Sequence, residues 1–235
     1  MLPVAILAGG LATRLRPLTN RVPKSLLTVA GRPFIFHQLE MLRDQGVERV
    51  VLCVGHLGEQ IQAVVGAGAT PGLVVSYSFD GGKLLGTGGA LKQALPLLGE
   101  EFFALNGDSY LPCSLARIQS AYRAARRPAL MTVLRNANRW DRSNVLFSNG
   151  ELIAYDKHTP RPDMFHIDFG LSVLSRTVFT DYRDARVIDL ADIFRDLSLS
   201  GRLAALEVSQ RFYEIGSPQG LRDTEEFLSG KLDRA

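Results

Sequence analysis

Short apolar runs alternate with amphipathic stretches along the first half of the chain. Leu2 to Leu7 and Arg49 to Val54 are continuous apolar segments of strand length, as expected for strands buried on both faces. Between them, Pro33 to Gln45 spaces Phe36, Leu39 and Leu42 along one helical face, with Pro33 near the first turn and Gly46 just past the end. The same reading predicts helices over Leu57–Val65, Gly88–Leu98 and Leu115–Arg126. It predicts strands over Leu73–Phe79, Phe102–Leu105 and Ala129–Leu134. Strands separated by helices point to an α/β chain with a mainly parallel sheet covered by helices.

The texture changes after residue 134. Asn144–Phe147 and Leu152–Tyr155 flank Ser148-Asn149-Gly150, a hairpin signal because Asn-Gly tolerates the positive φ of a tight turn. His166–Leu174, Leu203–Val208 and Phe212–Ile215 read as strands, Asp189–Ser198 and Pro218–Leu228 as helices, and residues 159–163 as a loop. No linker, repeat or low-complexity tract divides the chain. A single domain over residues 1–235 is expected, with a small β-rich lobe grown on the same sheet after residue 128.

Composition narrows the class. With 235 residues, 46% hydrophobic and 22% charged, the chain has the apolar supply of a globular protein. A net charge of +3 is too mild for a nucleic-acid arm or a polybasic membrane anchor, though it allows a local anion site. Cys53 and Cys113 are far apart and form no metal-binding spacing, which fits a reducing cytoplasm. The apolar start lacks the basic flank of a signal peptide, and no run approaches the roughly 20 residues needed to span a bilayer. No membrane or nucleic-acid partner is expected.

The segment richest in chemistry is Leu7-Ala8-Gly9-Gly10-Leu11-Ala12-Thr13-Arg14-Leu15-Arg16-Pro17-Leu18-Thr19, followed by Pro23-Lys24. A strand runs into paired glycines, whose missing side chains let backbone N–H groups approach a phosphate or a base. Arg14 and Lys24 bring positive charge to the same loop. Glycines that merely turn the chain are the plainer explanation of a lone Gly-Gly. Spacing excludes the dinucleotide fingerprint, because Gly9 and Gly10 are adjacent without a third glycine, and neither Gly82-Lys83 nor Gly230-Lys231 completes a P-loop.

The string from Leu7 to Lys24 resembles the signature of the sugar-1-phosphate nucleotidylyltransferases. The likeness continues through Gly31-Arg32-Pro33, Leu85-Gly86-Thr87-Gly88-Gly89, Asn106-Gly107-Asp108, Asp156-Lys157, Asp168-Phe169-Gly170 and Glu214-Ile215-Gly216. The resemblance implies a Rossmann-like nucleotidyltransferase fold and an NTP plus a sugar 1-phosphate giving an NDP-sugar and pyrophosphate. A divalent metal, normally Mg2+, goes with it, held by Asp108 and Glu214, the latter standing where most relatives carry Asp.

The resemblance also assigns roles. Arg14, Lys24, Asp108 and Lys157 form the catalytic set. Leu7, Ala8, Gly9, Gly10, Thr13, Asp80, Gly86, Thr87 and Gly88 join Arg14, Lys24 and Asp108 around the nucleotide. Asn106, Asp156, Lys157 and Gly170 serve the sugar phosphate. Residues 1–128 would then be mainly nucleotide-binding and 129–235 mainly sugar-phosphate-binding.

The closest look is to the branch that uses GTP with mannose- or heptose-type 1-phosphates. A uridylyl- or thymidylyltransferase for a hexose or amino-sugar phosphate is the alternative, and a catalytically silent nucleotide-sugar sensor a more distant one. Asp80 could touch a guanine edge. The histidines show no zinc spacing and read as structural. Trp140 could line a sugar pocket or a subunit contact, and the chain could be a monomer or a small homo-oligomer.

Overall fold

A computed structural model describes residues 1–68, 70–182 and 187–232. The strands are β1 (Val4–Leu7), β2 (Thr28–Val29), β3 (Arg32–Pro33), β4 (Arg49–Val54), β5 (Val74–Phe79), β6 (Glu101–Asn106), β7 (Ser109–Tyr110), β8 (Ala129–Arg135), β9 (Val145–Ser148), β10 (Glu151–Tyr155), β11 (His166–Ser175), β12 (Leu203–Val208) and β13 (Tyr213–Glu214). The helices are α1 (Phe34–Asp44), α2 (Gly58–Ala67), α3 (Gly86–Leu98), α4 (Leu115–Ala125), α5 (Leu190–Leu199) and α6 (Pro218–Leu232).

Nine strands form one mixed sheet, with β6, β1, β4 and β5 side by side and parallel. β11 continues it antiparallel to β6, β8 lies antiparallel on β11, and β12 closes that side parallel to β8. The β9–β10 hairpin attaches through His166 and Val145, and its turn carries positive φ at both Asn149 and Gly150, as the Asn-Gly signal requires.

Side-chain alternation splits the sheet into two buried faces. Val4, Ile6, Phe103 and Leu105 point into one core with Leu39 and Leu42 of α1 and Ile118 of α4; Ala5, Phe102 and Ala104 point into the other with Leu91 of α3 and Phe194 of α5. Both faces are covered by helices, so the central strands are apolar at nearly every position. Local signals fix the helix starts: Ser114 accepts the N–H of Arg117 at 3.3 Å ahead of α4, and Asp189 accepts that of Ala191 at 3.0 Å ahead of α5. Among the described residues no helix is long and apolar enough to cross a membrane.

One expectation changes. Phe212–Ile215 does not join the main sheet: only Tyr213 and Glu214 are strand, and they pair with Tyr110 and Ser109 in a separate two-stranded ribbon. The loop after β1 is built from three 3-10 turns at Thr13–Leu15, Leu18–Asn20 and Lys24–Leu26. Leu15 is buried there, and the Thr19 hydroxyl donates to the Ala12 carbonyl at 2.8 Å.

Candidate active site

A cleft of about 300 Å³ opens at the carboxyl ends of β1, β4 and β6, where open α/β sheets hold their ligands. Its floor is the end of β1 with Gly9 and Gly10, Lys24 and Asp108 stand on one side, and Asp80, Gly86 and Thr87 stand on the other. Lys157 reaches in from the segment after β10.

The Asn106-Gly107-Asp108-Ser109 turn is pressed onto the end of β1. Gly107 donates its N–H to the Leu7 carbonyl at 3.1 Å, and a Cβ at this position would lie 2.4 Å from the same oxygen, so only glycine fits. On the other side, Ile215 donates its N–H to the Asp108 carbonyl at 2.9 Å. The ribbon of β7 and β13 thereby ties the turn to the chain's last helix.

Asp108 Oδ2 accepts a hydrogen bond from the Lys24 ammonium at 2.6 Å, with the two side chains 22% and 21% exposed. Burial pushes the Asp108 carboxyl up, but the adjacent Lys24 charge and its hydrogen bond outweigh it and hold the group below the usual carboxylate range. The pair presents an ion and its counter-ion at the cleft surface. Beside Lys24, the buried Ser25 hydroxyl lines the cleft and has no hydrogen-bond partner among the described residues.

Arg14 is exposed and approaches from the first 3-10 turn. A methyl group placed on Gly216 would lie 3.1 Å from an Arg14 guanidinium nitrogen, 3.1 Å from Asp108 Oδ2 and 2.6 Å from Glu214 Oε2. All three charged groups therefore converge on one point at the cleft's edge. Glu214 is engaged locally: Oε1 accepts from the Ser217 hydroxyl at 2.6 Å and Oε2 from the Gly216 N–H, which fixes the chain entering α6.

Among the described residues no three His, Cys, Asp or Glu side chains form a cluster able to hold a metal. Two hard carboxylates beside one another nevertheless fit Mg2+, which keeps several waters and takes one or two protein ligands. Each oxygen of Asp108 and Glu214 retains acceptor capacity beyond the single hydrogen bond it makes.

Of the residues expected around the nucleotide, Leu7, Ala8, Gly9, Gly10, Lys24, Asp80, Gly86, Thr87 and Asp108 line the cleft. Thr13, Arg14 and Gly88 do not, although Arg14 stands at its edge. Thr13 is exposed in the first 3-10 turn. Gly88 is buried, and its N–H donates to the Ile188 carbonyl at 2.9 Å, with Gly89 donating to the same oxygen at 3.1 Å. The lack of a side chain there serves the packing of α3 against residues 188–190, a contact that the Thr87 hydroxyl extends to Asp189 at 2.8 Å.

On the sugar-phosphate side Asn106 and Lys157 line the cleft, and Asp156 and Gly170 do not. Asp156 Oδ1 accepts from the N–H groups of Thr159 and His158 at 2.8 and 2.9 Å, which holds its carboxyl below the usual range, while Oδ2 lies 3.6 Å from Arg195 Nε. It closes its own turn. Gly170, at φ +90°, backs Asn106: a Cβ there would lie 2.9 Å from Asn106 Nδ2.

Asp168 stands next to these groups. Burial pushes its carboxyl up against the Gly170 N–H hydrogen bond, at 2.9 Å, and the nearby charge of Lys157. Asp80 is likewise pushed up by burial, partly offset by the N–H of Leu85 donating to it at 3.2 Å.

Cleft residues beyond those expected are Ser25, Cys53, Leu84, Ala90 and Gly107. Position alone could have found Gly107, which sits between Asn106 and Asp108; Cys53 reaches the cleft as the partner of Leu7 across β1 and β4. Burial pushes the Cys53 thiol up to about 12, so it is no nucleophile at neutral pH. Trp140 packs edge-on against Phe212 beneath Arg139 and Arg211 and does not line the cleft. The buried His37 ring is bound to the Val29 carbonyl at 2.7 Å, and His158 and His166 pair with Asp192 and Glu207.

Comparison with known proteins agrees with this geometry. Residues 4–142 match the Nucleotidyl transferase family. Over 215 residues the chain is 25% identical to the D-glycero-alpha-D-manno-heptose 1-phosphate guanylyltransferase of Campylobacter jejuni, covering 91% of this chain and 94% of that protein. Over 104 residues it is 43% identical to the N-acetylmuramate alpha-1-phosphate uridylyltransferase of Neisseria meningitidis, a match spanning 44% of this chain and 45% of that enzyme. The crystal structure of HddC from Yersinia pseudotuberculosis complexed with GMP-PN superposes with a TM-score of 0.78 at 25% identity, covering 97% of this chain and 100% of that one. With more than half its length matched and the fold shared, the chain belongs to the nucleotidyl transferase family of enzymes, in the company of sugar-1-phosphate nucleotidylyltransferases.

Proposed function

We propose that this protein transfers a nucleotidyl group from GTP to a mannose- or heptose-type sugar 1-phosphate, releasing pyrophosphate. The observation that carries the reaction type is the convergence of Lys24, Asp108 and Lys157 on one cleft, with Arg14 at its edge. Two anionic reactants can meet only where fixed cations offset their repulsion, and this cleft supplies them from both sides.

The nucleophile is the sugar phosphate's own oxygen, anionic at neutral pH, so no general base is required. Lys157 holds that phosphate, and Lys24 and Arg14 stabilise the charge growing on the departing pyrophosphate. Asp108 and Glu214 would hold Mg2+, which when bound supplies further neutralisation of the triphosphate. Asp108 also keeps Lys24 in place.

The choice of GTP rests on Asp80. Guanine presents two adjacent N–H donors on its Watson–Crick edge, which suit a carboxylate, whereas uracil presents one N–H between two carbonyls. The 25% identity to the heptose 1-phosphate guanylyltransferase across nearly the whole chain supports the same choice. The 43% identical segment shared with a uridylyltransferase favours a second reading, UTP with a hexose or amino-sugar phosphate.

A matrix of four NTPs against mannose, heptose, glucose and amino-sugar 1-phosphates, read by pyrophosphate release, tests both. Turnover with GTP that Asp80→Asn diminishes relative to UTP is expected. Turnover confined to UTP or dTTP replaces the first reading with the second, and no turnover with any pair leaves a silent nucleotide-sugar sensor.

A further inference from the structure

A polar residue on the inner face of α1 is the most consequential group that the proposed chemistry does not use. Gln38 is fully buried, at 0% exposure, on a helix face otherwise made of Ile35, Leu39 and Leu42. Its Nε2 donates to the Asn106 carbonyl at 3.0 Å and to the Ser109 carbonyl at 2.8 Å. These two carbonyls bracket Gly107 and Asp108. With the Asp108 carbonyl taken by Ile215 and the Gly107 N–H by Leu7, the turn is held from three elements at once.

The same helix is fastened to the segment that carries Lys24. Phe34 at its first position donates its N–H to the Leu27 carbonyl at 3.0 Å, Leu27 donates to the Lys24 carbonyl at 3.0 Å, and the His37 ring is bound to Val29. The helix is therefore a strut between the two partners of the 2.6 Å Lys24–Asp108 pair, and Gln38 is its attachment on the Asp108 side.

We propose that Gln38 is a positioning residue for the transfer reaction, setting the direction of the Asp108 carboxylate toward Lys24 and the cleft through its two hydrogen bonds to the Asn106–Ser109 turn. It touches no substrate. Its effect therefore falls on turnover more than on binding, because the nucleotide and sugar contacts made by the rest of the cleft remain. The inference rests on the transferase reading above.

Gln38→Met keeps the side chain's length and removes both donors. Its kcat should fall by about tenfold or more, with KM for both substrates within about threefold of wild type. Gln45→Met is the matched control. Gln45 lies just past the same helix and accepts the Leu115 N–H at 2.9 Å, so its loss lowers stability without reaching the turn. Its kcat should stay at wild type.

A cycle with Asp108→Asn separates positioning from general support: if Gln38 acts through Asp108, its effect on kcat shrinks to less than about twofold in that background. Should Gln38→Met fail to fold, Gln38→Asn retains the amide but is too short to span both carbonyls, and an intermediate loss of kcat is expected. Wild-type kcat in a folded Gln38 variant, or full additivity with Asp108→Asn, overturns the proposal. A wild-type protein with no turnover on any substrate pair overturns the transferase reading instead.

Discussion

Replacing Asp108 by Asn removes one charge while keeping the shape of the side chain, so activity and stability can be predicted separately. At 2.6 Å and an effective dielectric of about 20, the Lys24–Asp108 attraction is about 6 kcal/mol before desolvation is counted. Both groups are about four-fifths withdrawn from water, at 21% and 22% exposure, and the cost of that withdrawal offsets most of the attraction. The amide oxygen still accepts from Lys24, so the net loss should be about 1–2 kcal/mol, the difference between a charged and a neutral hydrogen bond. For a chain of this size that is a fall in Tm of about 2–8 °C.

Activity should suffer far more from the same change. A main electrostatic element is worth on the order of 10²-fold or more in turnover, about 2.7 kcal/mol of barrier or above. Pyrophosphate release at saturating Mg2+ and both substrates, beside a thermal melt, reads both numbers from one preparation. Turnover within about threefold of wild type, in a variant whose melt has shifted as expected, would refute the role given to this carboxylate.

Three further outcomes follow from the same geometry. Lys157→Met should raise KM for the sugar 1-phosphate by about 10- to 100-fold, the worth of a hydrogen bond to a charged group, while leaving KM for the NTP nearly unchanged; initial-rate kinetics with each substrate varied will show it. Gly107→Ala forces a Cβ to 2.4 Å from the Leu7 carbonyl, so β6 must part from β1, and a stability loss of about 2–3 kcal/mol or more should appear in urea unfolding. Asp168 carries a raised carboxyl pKa, so its stabilising contribution is present below the ordinary Asp value and is lost as pH rises through the folded-state value. Asp168→Asn should therefore raise Tm at pH 7, with the gain shrinking as pH falls toward the unfolded-state value. A gain of equal size at all pH values would contradict this.

The central strands were legible because burial on both faces leaves a simple trace. Arg49–Val54 and Leu203–Val208 are strands over the residues expected, and Leu73–Phe79 differs by one. The ribbon of β7 and β13 left no such trace. Two residues paired with two have no periodicity to detect, and what holds Tyr213 there is tertiary, its ring stacked on Phe227 at 3.8 Å.

At the site, most of the residues picked by motif and spacing line the cleft, while Gly88 and Asp156 are engaged by the chain itself. Gly88 gives its N–H to Ile188, and Asp156 gives a carboxylate oxygen to the N–H groups of His158 and Thr159. An acidic residue followed two and three positions later by free N–H groups is an Asx-turn pattern, so the Asp156 contact could have been read from Asp156-Lys157-His158-Thr159. Gln38 had a signal too: it falls three residues after Ile35 and four before Leu42, a polar group on a stripe that buries everything else.

The commitment of Gly88 and Gly89 to Ile188 also bears on where the cleft's positive character originates. A glycine-rich helix start is commonly a phosphate site because its free N–H groups and the helix dipole face the anion. Here the N–H groups of Gly88 and Gly89 converge on a protein carbonyl, at 2.9 and 3.1 Å, so of the start of α3 only Gly86 and Thr87 are left facing the cleft. Under the proposed reaction, side chains would add to the backbone of Gly9 and Gly10: Lys24 from the loop after β1, Lys157 from the segment after β10, and Arg14 at the rim. Lys24 and Lys157 lie more than a hundred residues apart in sequence. Each is brought to the cleft by a different part of one sheet, with β11 joining the strands of the first half to those of the second. The sheet is thus what brings Lys24 and Lys157 to one cleft. The anchoring of the Asn106–Ser109 turn, to β1 on one side and to β13 on the other, places the Asp108 carboxylate against Lys24 at the cleft.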